Sequence, residues 1–308
     1  MCLILGIDGG GTKTRCAVSD GVMVLGRGVS KGCNIVRLGE ATARLSIQSA
    51  IREALRNAHL EPDSVKAACI GVAGSAVPQV RQAVLSIIRE ILPCPISVVG
   101  DQDIAFEAAF GDTPGILVIA GTGSIAFGRN STGKSARAGG YGFIVSDEGS
   151  GQWVGRAGVS SCLRALDRGA KSLLLPQFLK AFSASNVGEL IQAANAVPPP
   201  DFSQLFPMVL NASEHGDAVA TEVLKKAGQE LAALAKLVAE QLGMNRENFR
   251  VATAGGVFEH SPLVRAEFQS SLKSSHPHAT VIDGVAEPLL GALSLARKQE
   301  ALTGQPVR

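Results

Sequence analysis

One nine-residue pattern occurs twice in this chain. Ile4-Leu5-Gly6-Ile7-Asp8-Gly9-Gly10-Gly11-Thr12 and Ile116-Leu117-Val118-Ile119-Ala120-Gly121-Thr122-Gly123-Ser124 align without a gap at an offset of 112 residues. Each copy is an apolar strand, then a Gly-rich turn with a hydroxyl residue. A second apolar stretch follows, Thr14–Ser19 in the first copy and Ile125–Gly128 in the second. That order predicts a β-hairpin with a glycine tip. A weaker echo pairs Val72-Ala73-Gly74-Ser75 with Thr253-Ala254-Gly255-Gly256, each closing a predicted strand. Self-similarity at a fixed offset constrains the fold before any single element does. The chain reads as two related halves, divided near Asp112–Gly115.

Between the strands lie helical patterns: one around Gly39–His59, one through Val80, Val84, Ile87, Ile88 and Ile91, and a long one from Val219 to Leu242 ended by Gly243. Strands alternating with helices predict an α/β fold with a largely parallel sheet in each half. The domains expected are 1–113 and 114–308, with a helix at about 287–301 packing back on the first. The 308 residues are 46% hydrophobic and 18% charged, which excludes disorder and supplies two cores. The formal net charge is +2 with no charge run, which argues against nucleic acid as a partner. The segment Met1–Ile7 lacks a basic n-region, so it does not read as a signal peptide. The charge-free run Thr113–Gly128 is too short and Gly-rich to span a bilayer. Six cysteines with no CxxC spacing point to buried thiols in a reducing cytoplasm.

The first turn carries chemistry. Three consecutive glycines let backbone N–H groups approach an anion without Cβ obstruction. Gly10, Gly11, Thr12 and Lys13 are therefore candidate phosphate contacts, and Asp8 at the strand end is the candidate holder of a hydrated Mg²⁺. An ordinary hairpin tip needs neither three glycines nor the aspartate. Gly121, Thr122 and Gly123 take the same place in the second half, where Ala120 replaces Asp8. Two such turns facing across a cleft would clamp one polyphosphate. Gly255 and Gly256 would let a flat purine lie on backbone, or make only a tight turn. Gly128–Ser135 fits the P-loop pattern letter for letter, but Ala136–Gly142 is hostile to the helix that a P-loop needs at its lysine, so 130–134 reads as a hairpin loop.

Ile96–Asp101 reads as a strand ending in aspartate, with a helix from Ile104 to Phe110. An aspartate there is placed as a general base for a substrate hydroxyl, or as a helix cap, a duty open also to Asp103. Asp147 follows the Gly-rich Gly139-Gly140-Tyr141-Gly142 and suits paired hydroxyls, or caps the next helix along with Ser150. Asn34 both donates and accepts, or is a turn residue.

In this order the motifs resemble the sugar kinase/actin/heat-shock-protein superfamily of duplicated ATPase domains. Within it the chain is similar to N-acetylglucosamine kinases of the family that also holds the benzoyl-CoA reductase ATPase subunits. The resemblance covers nearly the whole chain; Gly9–Thr14, Val98–Asp101 and Gly121–Ser124 are its most specific stretches. It implies duplicated actin-like (ribonuclease H-like) domains flanking an interdomain cleft, with ATP and Mg²⁺ as cofactors. It implies transfer of phosphate to an amino sugar, at O6 of N-acetylglucosamine, with glucosamine or a muramic-acid-type sugar as alternatives. A non-kinase ATPase activator of a CoA-ester reductase or dehydratase is the other alternative; those hold an iron–sulfur cluster with paired cysteines. The resemblance implies that Thr12 and Thr122 contact phosphate and that Asp101 is the base. It implies further that Asn34, Asp101 and Asp147 bind sugar hydroxyls, while Ser124, Gly140 and Tyr141 flank the sugar and its acetamido group. Tyr141 stands where the mammalian kinases have Trp, and Phe143 where they have His. The implied partner is a small amino sugar, not a membrane or nucleic acid, with a homodimer left open.

Overall fold

The computed structural model describes residues 2–244, 248–282, 284 and 286–303. The chain divides into two compact units, Met1–Thr113 with Ala286–Arg308, and Pro114–Val285.

The first unit runs β1 (Leu3–Gly9), β2 (Lys13–Ser19), β3 (Val24–Lys31), α1 (Ile35–Leu38), α2 (Glu40–Ala58), β4 (Val65–Val72), α3 (Pro78–Arg89), β5 (Ile96–Val99) and α4 (Asp101–Phe110). Its sheet has the order β3-β2-β1-β4-β5. The second unit runs β6 (Gly115–Ala120), β7 (Ser124–Arg129), β8 (Ser135–Gly139), α5 (Gly151–Asp167), α6 (Leu174–Ala181), α7 (Val187–Ala194), α8 (Phe206–Glu214), α9 (Ala218–Leu242), β9 (Phe249–Ala254), α10 (Gly256–His260), α11 (Pro262–Ser275) and β10 (Ala279–Val281). Its sheet has the order β10-β9-β6-β7-β8, the same connectivity read in the opposite direction. The last helix, α12 (Pro288–Thr303), belongs to the first unit.

The repeat is thus realised strand for strand, with β6 and β7 in the places of β1 and β2. The expectation of largely parallel sheets needs correction. β1-β2-β3 and β6-β7-β8 pair antiparallel, and only β1-β4-β5 and β6-β9-β10 are parallel. Short turns can join strands only antiparallel, whereas parallel neighbours need a crossover. The central strands β1 and β6 read as apolar runs because helices cover both their faces.

In the first unit, Ala43, Ile47, Ala50, Ile51 and Ala54 bring α2 onto one face of the sheet. The helix lies so close that a Cβ on Gly28 would stand 2.7 Å from Ala54 N, and one on Gly26 2.7 Å from Ala58 N. On the other face, Leu289, Ala292, Leu293 and Ala296 of α12 pack with Ile4, Ala67, Cys69 and Ile104. In the second unit, α9 presents Leu231, Ala235 and Val238 to a core shared with β6, α5, α8 and α11. Among the described residues no helix is long and apolar enough to cross a membrane.

Candidate functional site

In the first unit, the strand–turn–strand of β1 and β2 sets up one cluster. Gly10 N–H closes the turn on the Lys13 carbonyl at 3.0 Å, and the Gly10 carbonyl accepts Cys33 N–H at 3.1 Å. That second bond ties the tip to the chain leading into Asn34. Gly32 is packed against the tip, so a Cβ there would stand 3.0 Å from Thr12 N. Gly11 faces open space, and its N–H has no hydrogen bond to the described residues. Thr12 and Lys13 are exposed. At the glycine tip the Gly11 N–H is thus the donor left without a partner among the described residues, as anion binding requires.

Asp8 lies one residue before the end of β1 and is paired in register with Arg15 of β2. Burial pushes its carboxyl up to about 6, with the Arg15 charge pulling down and the charges of Asp101 and Glu287 pushing up. Asp101 corrects the strand expected over Ile96–Asp101: β5 ends at Val99 and Asp101 is the first residue of α4. The helix starts there because Gly100 is extended at the cap and Asp103 Oδ2 accepts Gly100 N–H at 2.8 Å. Capping thus falls to Asp103, and the Asp101 carboxylate accepts the neighbouring Gln102 N–H, at 3.1 Å, and its own backbone N–H. Burial also raises the Asp101 carboxyl above its ordinary value, against the pull of that N–H and with the push of Asp103. Asn34 does serve as a cap, its Oδ1 accepting Arg37 N–H at 3.1 Å at the start of α1.

In the second unit, Gly121 N–H bonds the Gly123 carbonyl at 2.9 Å. The first N–H groups of α5 hold this turn: Gly151 N–H reaches the Gly121 carbonyl at 2.8 Å and Gln152 N–H the Thr122 carbonyl at 3.3 Å. Ser150 caps α5 by accepting Trp153 N–H at 3.1 Å, so Asp147 is free of that duty. Asp147 is buried in a left-handed conformation, φ 65°. Burial raises its carboxyl pKa, opposed by N–H bonds from Gly142 and Ser124. It fills the space beside Gly123, where a Cβ would stand 2.8 Å from Asp147 Oδ2. Ser124 is buried and donates its hydroxyl to the Glu148 carbonyl at 2.7 Å. Gly140 (φ 74°) and Tyr141 follow β8 on the surface. Gly255 (φ 96°) comes against the turn from β9, where a Cβ would meet the Ala120 carbonyl at 2.5 Å, and Gly256 opens α10. Glycine is required at that approach.

The P-loop look-alike is a β7–β8 hairpin. Asn130 Oδ1 accepts the N–H groups of Thr132 and Lys134, and Lys134 Nζ donates to the Gln241 carbonyl at 2.9 Å. No helix begins at this lysine; β8 begins at the next residue, Ser135. The cysteines are free among the described residues, with burial raising Cys33 to about 11 and Cys69 to about 12.

Sequence reasoning missed Arg15 and Cys33, and left the cap of α4 open between Asp101 and Asp103, which the structure gives to Asp103. Arg15 was recoverable: a hairpin with Gly9 opposite Thr14 places Asp8 opposite Arg15. Asp103 at the third helical position is a capping-box signal. Nothing local announces the Cys33 anchor.

Carboxylate oxygens with no nitrogen or sulfur partner suit a hard cation such as Mg²⁺ at Asp8. No group of three or more His, Cys, Asp or Glu gathers as a metal cage among the described residues. Mg²⁺ fits such a place, since it keeps waters and takes phosphate oxygens for the rest of its shell.

The model of the BadF/BadG/BcrA/BcrD ATPase family matches residues 5–296. The N-acetylmuramic acid/N-acetylglucosamine kinase of Clostridium acetobutylicum is 33% identical over 305 residues, 97% of this chain and 99% of that protein. The N-acetyl-D-glucosamine kinase of Dictyostelium discoideum is 29% identical over 96% of this chain and 97% of its own length. A solved structure from Chromobacterium violaceum, 24% identical, superposes with a TM-score of 0.77 over 96% of this chain and 99% of that one, a likeness of fold. A match over nearly the whole length, on the same duplicated strand–turn–strand frame, places this chain in the BadF/BadG/BcrA/BcrD ATPase family.

Proposed function

We propose that this protein transfers the γ-phosphoryl group of ATP to the 6-hydroxyl of an amino sugar, N-acetylglucosamine in the first instance. Membership of an ATPase family supports ATP as donor, and the kinases among its relatives support the acceptor. The observation that carries the reading is Asp101, a desolvated carboxylate at the first position of α4 whose capping duty is taken by Asp103. A half-buried carboxylate whose helix is capped by another residue is suited to accept a proton.

Asp101 orients the sugar hydroxyl and receives its proton as that oxygen bonds to the γ-phosphorus. The bond from the phosphorus to the β–γ bridging oxygen breaks, and ADP leaves. The transition state is loose, so positioning and charge neutralisation contribute most of the acceleration. The Gly11 N–H, the Thr12 and Thr122 hydroxyls and the Lys13 ammonium donate to phosphoryl oxygens, while Gly10, Gly121 and Gly123 let the phosphates approach the backbone. Gly255 and Gly256, where β9 passes into α10, give the base of the nucleotide backbone without side chains to lie against. Asp8 would hold Mg²⁺, which when bound neutralises polyphosphate charge. Asn34 offers its amide Nδ2 and Asp147 its carboxylate to sugar hydroxyls, with Ser124, Gly140 and Tyr141 beside the 2-substituent.

The test is steady-state kinetics with N-acetylglucosamine and ATP. Asp101→Asn keeps size and much of the hydrogen bonding but removes the proton acceptor. The expected fall in kcat is about 10²–10⁴-fold, with ATP binding and the melting temperature kept. Turnover within about threefold of wild type would remove Asp101 as the base.

A further inference from the structure

The loop after β8 is tightly folded yet turns apolar side chains outward. From Gly139 to Gly149 the backbone passes through positive φ at Gly139, Gly140, Gly142, Asp147 and Gly149. The loop is held internally: Ser146 N–H bonds the Gly142 carbonyl at 2.9 Å, Asp147 accepts Gly142 N–H, and Arg156 Nη1 donates to the Phe143 carbonyl at 3.0 Å. While Ser146 and Asp147 are buried, Tyr141, Ile144 and Val145 are 64%, 67% and 76% exposed. Three large apolar side chains within five residues of an ordered loop make a surface suited to a ligand's carbon.

Beside it stands a cation. The guanidinium of Arg137, on β8, lies 5.2 Å from the Tyr141 ring centroid. It has no carboxylate and no hydrogen-bond acceptor among the described residues. A guanidinium held over a ring keeps its N–H groups available to a planar two-oxygen acceptor. An apolar surface with an ordered, unneutralised arginine at its edge matches a substituent that carries both a methyl group and a carboxylate.

Resting on the kinase reading above, we propose that Arg137, stacked on Tyr141, is a specificity-determining residue that admits amino sugars bearing an anionic 3-O-substituent, the lactyl ether of N-acetylmuramic acid. The geometry of the sugar supports this. Carbons 2 and 3 are neighbours on the ring, so a pose that lays the 2-acetamido group along Gly140–Tyr141 brings a 3-O-substituent next to it. The lactyl methyl then covers part of the apolar surface, and its carboxylate meets Arg137. N-acetylglucosamine uses the Tyr141 side and leaves Arg137 to solvent, so one site serves both sugars.

The experiment measures kcat/KM for N-acetylmuramic acid and N-acetylglucosamine with saturating ATP, in wild type, Arg137→Gln and Arg137→Lys. A charge-assisted hydrogen-bonded pair at a partly solvated site accounts for roughly tenfold in affinity. Wild type is expected to phosphorylate both sugars. In Arg137→Gln the ratio of kcat/KM for N-acetylmuramic acid to that for N-acetylglucosamine should fall about tenfold, through KM. Arg137→Lys should recover part of it. In wild type the KM for N-acetylmuramic acid should rise with ionic strength while that for N-acetylglucosamine stays level. Turnover of N-acetylglucosamine without N-acetylmuramic acid, or an unchanged ratio in Arg137→Gln, overturns the role of Arg137 and leaves the kinase reading intact. A wild type that phosphorylates neither sugar overturns both.

Discussion

A carboxyl group that titrates near 6 destabilises its own fold at neutral pH. The native state keeps the Asp8 proton where the unfolded chain, with the ordinary value of 3.8, has released it. Stability therefore falls as pH rises from about 4 to 6 and stays lowered above that window. At about 1.4 kcal/mol per pH unit, and with Asp8 partly open to water, the loss at pH 7 is on the order of 1–2 kcal/mol. Asp8→Asn should melt a few degrees above wild type at pH 7.5 by scanning calorimetry, with the gain shrinking toward pH 4, while kinase turnover collapses. A variant that melts lower at pH 7.5 would mean that the Arg15 charge outweighs desolvation. On the role proposed for Asp8, kcat/KM should decline as pH falls through about 6, where Asp8 takes up its proton. The roles proposed for Asp8 and Asp101 set them against the interest of stability, as desolvated carboxylates are.

At the scale of elements, the hairpin after β7 separates pattern from mechanism. Lys134 satisfies a carbonyl at the end of α9 and touches no glycine turn. Lys134→Ala should leave ATP affinity within about twofold and shift stability by no more than about 1 kcal/mol, checked by nucleotide titration and a melting curve. A tenfold loss of nucleotide binding would restore the P-loop reading. The two glycine tips, the strands ending at Val72 and Ala254, and helices α2, α3 and α9 were legible because each rests on a local signal: a turn residue, an apolar run or a 3.6-residue period. The antiparallel halves of the sheets were less so, although turns as short as Gly10–Lys13 already require that direction. The start of α4 was set three residues late because Ile104 opens the apolar period, whereas the helix itself opens at the cap, which Asp103 closes on Gly100. The anchoring of the first tip by Cys33 joins residues more than twenty apart, and only the fold brings them together.

For the whole molecule, the most consequential feature is that α12 completes a core begun at residue 3. Its Leu289, Ala292, Leu293 and Ala296 cover the sheet face that holds Ile4, Ala67 and Cys69. Burying two leucines alone contributes about 3–6 kcal/mol, comparable with the net stability of a domain. A chain ending at Val285 should therefore lose the cooperative melting of the first unit and keep that of the second. Cys69, 0% exposed in the intact protein, should become reactive to a thiol reagent under native conditions. Protection of Cys69 in that truncation would show the helix to be dispensable. During synthesis the same arrangement imposes an order. The strands of the first unit leave the ribosome early, but their covering helix is made last, after roughly 170 further residues, or on the order of 10–30 s at the usual rate of elongation. Residues 114–285 can fold in that interval, whereas the first unit waits with one apolar face open until α12 emerges.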